Sequence, residues 1–217
     1  MGEPFWHPSW QQEAVEIKLD NFVHQGFYKL KALELRHKCF SGEWSPWLKR
    51  EQFYHSDASA VLLVDPDAQK LVLVEQFRVG LLQRPNMSPW ILEVVAGLVE
   101  AHEKPEHTML REAKEEANCD IKAWIKIGEY YNSPGGFAEK TTLFCAMVDS
   151  TDKAGIQGMM HEHEDIKVHV IDIQKALNAL SEGQWQTSSS TVIAMQWLAI
   201  NLNKHPFLGK VHGKTSI

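Results

Sequence analysis

The sequence predicts an α+β protein in which a mixed sheet is flanked by helices and preceded by a small antiparallel sheet. Three observations predict it. Apolar runs of strand length recur along the chain, helical periodicity is confined to three later segments, and residues 1–57 carry strand patterning without any helical stretch.

Taken in order, residues 1–12 are rich in Pro and Trp and read as an irregular arm. Three β-favouring runs follow at 14–24, 27–40 and 46–55, separated by Gly26 and by Ser41-Gly42-Glu43, both of which are turn chemistry. A three-stranded sheet of this kind has open edges and a thin core, so it needs a partner surface. Residues 1–57 are therefore expected to be a dimerisation domain, and 58–217 the main domain. In the main domain, strands are expected at 60–64 and 71–77 around an Asp-Pro-Asp turn, then at 90–95, with a loop at 80–89. Pro105 occupies a favoured first helical position and opens a helix to Ala117. Strands at 124–130, 141–148 and 166–171 and helices at 173–181 and 190–202 complete the chain before a basic tail.

Composition narrows the function. Lys and Arg number 22 against 28 Asp and Glu, a net charge of −6, which argues against a binder of the nucleic-acid backbone. Three cysteines at unrelated spacings, Cys39, Cys119 and Cys145, make neither a disulfide framework nor a zinc site, as expected of a cytoplasmic protein. The N-terminus lacks the basic and apolar regions of a signal peptide, and no run reaches the roughly 18 apolar residues of a membrane span.

One segment dominates the chemistry. Gly97, Glu103, Arg111, Glu112, Glu115 and Glu116 stand at spacings whose chance occurrence is about one in a hundred thousand per chain at average residue usage. On a helix, Glu112, Glu115 and Glu116 crowd one face at i, i+3 and i+4, a destabilising arrangement that hard divalent cations would relieve. Leu110, Ala113 and Ala117 form another stripe, small enough for close contact with a sheet. By itself Glu-Ala-Lys-Glu-Glu is an ordinary solvated acidic face. Arg111 and Gly97 at these distances point the other way. Asn118 stands where the helix should end in a left-handed conformation, which Asn tolerates nearly as well as Gly.

The segment resembles the Nudix box, Gly-x5-Glu-x7-Arg-Glu-U-x-Glu-Glu-x-Gly-U, with Ala113, Asn118 and Cys119 as its departures. Flanking motifs extend the resemblance over nearly the whole chain, to the bacterial ADP-ribose pyrophosphatase branch: GFYKL, KRE, EQFR, WILEVVAG, HEHEDI and above all Ser133-Pro134-Gly135-Gly136, downstream of the box. The resemblance implies a Nudix fold and Mg2+-dependent hydrolysis of ADP-ribose to AMP and ribose 5-phosphate. Other nucleoside diphosphate sugars or dinucleotides remain alternatives, as does a non-catalytic ADP-ribose sensor. It implies two or three Mg2+ ions, with Mn2+ as a substitute, held by Glu112, Glu115, Glu116, Glu164 and the Ala96 carbonyl. Glu162 would be the general base, while Gly97, Glu103 and Arg111 would shape the box. It further implies a homodimer with shared sites. Phe27 and Tyr28 of one subunit would hold adenine opposite Arg50 and Glu51, Arg78 would meet the diphosphate, and Leu98, Ser133, Pro134, Gly135 and Glu139 would line the ribose side.

Overall fold

Residues 5–158 and 164–208 are described by a computed structural model. They divide into two compact units, one formed by Met1–His55 with Tyr131–Glu139 and the other by Ser56–Tyr130 with Lys140–Ile217.

The first unit carries an antiparallel sheet ordered β1 (Val15–Gln25), β2 (Lys29–His37), β3 (Leu48–Tyr54). Little of it is buried: Ile17 is 57% and Val23 59% exposed. Cross-strand side chains do the holding. The Arg36 guanidinium lies 4.8 Å from the Trp44 ring and 4.9 Å from the Trp47 ring, and pairs with Glu16 at 2.6 Å. Lys31 covers Phe22 and Tyr54 at 5.0 and 5.5 Å. Such contacts fix register but contribute much less than a closed core.

The second unit is built on an eight-stranded mixed sheet. Its central path runs β10 (Gly155–Gln157), β11 (Ile166–Asp172), β5 (Lys70–Phe77), β4 (Ala58–Asp65), β9 (Lys140–Met147), β8 (Ala123–Tyr131). β4 and β9 are parallel, whereas β4–β5 and β5–β11 are antiparallel. β4 and β5 are buried on both faces and read as near-continuous apolar runs. One face (Leu62, Val64, Leu71, Leu73) packs with Ala176, Met195 and Leu198 of α2 (Ile173–Ser181) and α3 (Ser189–Asn201). The other face (Val61, Leu63, Val72, Val74) packs with Met109, Ala113 and Ala117 of α1 (Pro105–Ala117). At the β4–β5 turn Asp65 accepts from Ala68 N–H at 3.0 Å and from Ser150 N–H and Oγ–H at 2.8 and 2.7 Å. Burial works against the charge, but these bonds hold Asp65 below the usual carboxylate range.

Two expectations need correction. The strand expected at 90–95 is really two, β6 (Trp90–Glu93) on β5 and β7 (Val95–Leu98) on β4. The break has a cause: Leu92 C=O accepts from Trp185 Nε1 and Thr187 Oγ1, and Val94 N–H donates to Thr191 Oγ1 at 3.0 Å. Those groups are thereby lost to a continuous ladder. Leu110 is 42% exposed, so it is not part of the stripe against the sheet; Met109 takes that place, fully buried. The short β10, which had no signal in a three-residue run, also appears only in the structure.

Candidate functional site

α1 begins at Pro105 and is tied to the sheet by Ser59 Oγ–H donating to Pro105 C=O at 2.8 Å. It ends at Asn118, left-handed at φ 48°, with Cys119 N–H bonded back to Ala113 C=O at 2.9 Å. Between these ends the buried positions are 108, 109, 112, 113, 116 and 117, the i, i+3, i+4 stripe of a helix lying on a sheet. Two of those core positions are occupied by carboxylates. Glu112 is 9% and Glu116 only 2% exposed.

Burying two carboxylates this close is costly. Burial, offset in part by Arg111, pushes Glu112 up to about 7. Burial and then the charge of Glu112 hold Glu116 well above the ordinary range, with Arg78 opposing. Glu116 Oε2 accepts from Ala96 N–H at 3.2 Å, which fixes it under β7. Next to it, Gly97 is needed for a steric reason: a Cβ there would lie 1.8 Å from Glu112 Oε1 and 2.5 Å from its Cγ. Gly97→Ala must therefore swing the Glu112 carboxylate aside, since only that flexible side chain can yield. The expected result is a loss of turnover of about 10²-fold, the scale set by displacing a reacting group by an ångström. The melting temperature should stay near wild type, and a variant with full activity would contradict this account of Gly97.

Arg111 organises the outer half of the helix. It bonds Glu112 at 2.7 Å, Glu115 at 2.9 Å and Glu103 at 3.3 Å. Glu103 also accepts from Thr108 Oγ–H at 2.8 Å and from Glu100 N–H at 3.3 Å, so it pins the loop before α1. Burial opposes its charge, yet those partners keep Glu103 below the ordinary range. Part of the repulsion expected among Glu112, Glu115 and Glu116 is therefore absorbed by Arg111. Among the described residues, Glu116 is the member left without a cation in contact.

Around this pair stand further predicted residues. Arg78 Nε donates to Glu93 at 2.6 Å; Glu93 is 4% exposed and neutralised by that contact. Glu164, just before β11, is near enough to raise both Glu112 and Glu116 electrostatically. Gly158, at φ +101°, lets the chain pass close, for a Cβ there would meet Glu164 C=O at 2.7 Å. Glu162, with His161 and His163, lies outside the described residues. Among the described residues no three His, Cys, Asp or Glu side chains are gathered tightly enough to hold a metal by themselves. Two buried carboxylates with the Ala96 backbone nearby nevertheless fit a hard divalent cation, which takes oxygen donors and supplies the charge the pair lacks. Sequence reasoning missed Glu93 and Gly158. Glu93 had a signal, a carboxylate inside an otherwise apolar strand; Gly158 had none beyond being a glycine in a loop.

In the other unit the predicted nucleotide residues form their own group. Phe27 and Tyr28, at the β1–β2 turn, meet edge to face at 5.0 Å, and His55 packs on them at 4.8 and 5.2 Å. Phe27 remains 73% exposed. Arg50 and Glu51 are exposed on β3. The 131–139 segment runs along β3, through Phe53 N–H to Gly136 C=O at 2.8 Å and Ala138 N–H to Phe53 C=O at 3.2 Å. Ser133 closes its turn by accepting from Phe137 N–H at 2.9 Å, with Pro134 and Gly135 exposed, while Glu139 accepts from Asn132 at 2.9 Å. In the second unit, Leu98 C=O accepts from Arg111 at 3.4 Å.

Comparison with known proteins agrees with this architecture. The NUDIX domain profile matches residues 54–191. ADP-ribose pyrophosphatase of Haemophilus influenzae is 40% identical over 192 residues, 88% of each chain. That of Escherichia coli K12 is 36% identical over 187 residues, 86% of this chain and 88% of its own. A GDP-mannose pyrophosphatase of Cronobacter sakazakii is 34% identical over 86% of this chain and 95% of its own. A crystal structure described as an ADP compounds hydrolase superposes with a TM-score of 0.64 over 88% of this chain and 97% of its own, at 18% identity, and so speaks for the fold. Members of this family generally need a divalent metal. The buried carboxylate pair on α1, the glycine above it and a domain match over residues 54–191 lead to one assignment: the chain belongs to the Nudix hydrolase family.

Proposed function

We propose that this protein hydrolyses the diphosphate bond of ADP-ribose, giving AMP and ribose 5-phosphate. What carries the proposal is the buried Glu112–Glu116 pair, set in a chain 40% identical over 88% of its length to a protein named ADP-ribose pyrophosphatase. Glu112, Glu116, Glu164 and the Ala96 carbonyl are the ligands for two or three Mg2+ ions, replaceable by Mn2+, with Glu115 supporting them. When bound, these ions neutralise the diphosphate and polarise the phosphorus under attack. Arg78, steadied by Glu93, meets the diphosphate oxygens. Glu162 orients the attacking water and takes its proton. Leu98, Ser133, Pro134, Gly135 and Glu139 line the ribose side.

The protein acts as a homodimer in the cytoplasm, and adenine is held by Phe27 and Tyr28 of a second copy, opposite Arg50 and Glu51. Support comes from the exposed aromatic pair, the unburied small sheet and the three free thiols. Among the described residues no helix is long and apolar enough to cross a membrane. Mixing Tyr28→Ala with Glu112→Gln chains under exchange should restore about a quarter of wild-type activity. Half the dimers would be mixed, and each mixed dimer regains one of its two sites. No recovery, or a monomer at concentrations where the enzyme works, would remove the shared site.

The second reading is another nucleotide sugar as substrate, favoured by the 34% identity to a GDP-mannose pyrophosphatase. A panel of nucleoside diphosphate sugars and dinucleotides with Mg2+, resolved by chromatography of products, decides between them. ADP-ribose should show the highest kcat/KM; preference for GDP-mannose would replace it.

A further inference from the structure

The residue at issue is Gln76, on β5. It is 8% exposed, yet its Nε2 is buried and has no hydrogen-bond partner among the described residues. A buried amide donor left unpaired is uncommon and costs stability, so such a group calls for an explanation. Register says which way it faces. Val72 and Val74 on the same strand belong to the core beneath α1, and alternation places Gln76 and Arg78 in that row. Across β6, Glu93 stands opposite Val74, on the same face. Along the row, Val74 lies on one side of Gln76 and Arg78 on the other. Arg78 is held by Glu93 and interacts electrostatically with Glu116. Gln76 thus sits inside the α1 face, between the closed core and the carboxylate centre.

Of the polar groups named on that face, Gln76 has the one vacant donor. Glu93 is committed to Arg78, and Glu116 accepts from Ala96 N–H. The acceptor chemistry that suits an unpaired N–H2 beside a guanidinium is an anionic oxygen brought in from outside. We infer that Gln76 is a substrate-binding residue, whose side-chain amide donates to a non-bridging oxygen of the bound diphosphate, next to the contact made by Arg78. The inference rests on the function proposed above. In the ligand-free protein the donor stays unsatisfied, so part of the stability lost there is recovered when the diphosphate arrives.

This gives Gln76 two readouts that move in opposite directions from those of a structural glutamine. Gln76→Met keeps length and volume while removing the unpaired donor. Its melting temperature without ligand should equal or exceed wild type, because an apolar group there leaves nothing unsatisfied. Its KM for ADP-ribose should rise about tenfold to a hundredfold with kcat within a few-fold, the loss typical of a hydrogen bond to a charged group. Calorimetry with inorganic diphosphate and Mg2+, which needs no turnover, should show a similar weakening. Gln76→Leu should repeat both results. A fall in melting temperature, or unchanged KM and diphosphate affinity, overturns the assignment. If wild type prefers another nucleotide sugar, the substrate reading fails alone, and Gln76 is then judged by diphosphate binding and by KM for that substrate.

Discussion

Glu116→Gln is expected to lower kcat/KM by about 10²–10⁴-fold, the several kcal/mol that a misheld metal site withdraws from the transition state. The fold should survive. Glutamine has the same shape, and its amide oxygen can still accept from Ala96 N–H, which Glu116 meets at 3.2 Å. The variant also loses a carboxylate that is 2% exposed and repelled by Glu112, so its ligand-free melting temperature should be no lower than wild type. Mg2+ should raise the melting temperature of wild type and do so much less in the variant, since a cation that binds only the folded state stabilises it by mass action. Full turnover in excess chelator, or a variant as active as wild type, would remove Glu116 from the metal site.

Glu162→Gln is expected to lower kcat by about 10²–10⁴-fold, the usual consequence of removing a general base. KM and Mg2+ affinity should change little, because the proposed base is assigned neither to substrate recognition nor to metal binding. Glu164→Gln should differ in kind, raising the Mg2+ concentration needed for half-maximal rate. Glu164 is near enough to Glu112 and Glu116 to raise both electrostatically, whereas Glu162 is two residues away along the chain. Should calorimetry find that Glu162→Gln abolishes Mg2+ binding, or kinetics find its kcat intact, Glu139 and Glu115 become the next candidates for the base.

Much of this protein can be read from its residues alone. Every regular element of more than four residues was visible, because each announces itself locally. Pro105 opens α1, Asn118 closes it left-handed, and β4 and β5 are near-continuous apolar runs because both their faces are covered. The Gly97-to-Glu116 spacing was equally plain, since helical geometry converts i, i+3 and i+4 into one face. Other features were settled only by contacts between distant parts of the chain. The break at Val94 depends on Thr191, 97 residues away, and no local pattern encodes it. Met109 rather than Leu110 is buried because α1 is rotated to put Glu112 and Glu116 against β7; the helix turns its carboxylates inward and an aliphatic outward. Glu93 and Gln76 stand out in sequence only as polar residues within apolar strands, and it is the register that places them beside Arg78. Sequence periodicity fixes which residues share a face. Only the packing of that face decides which polar groups on it find partners, and which wait for a ligand.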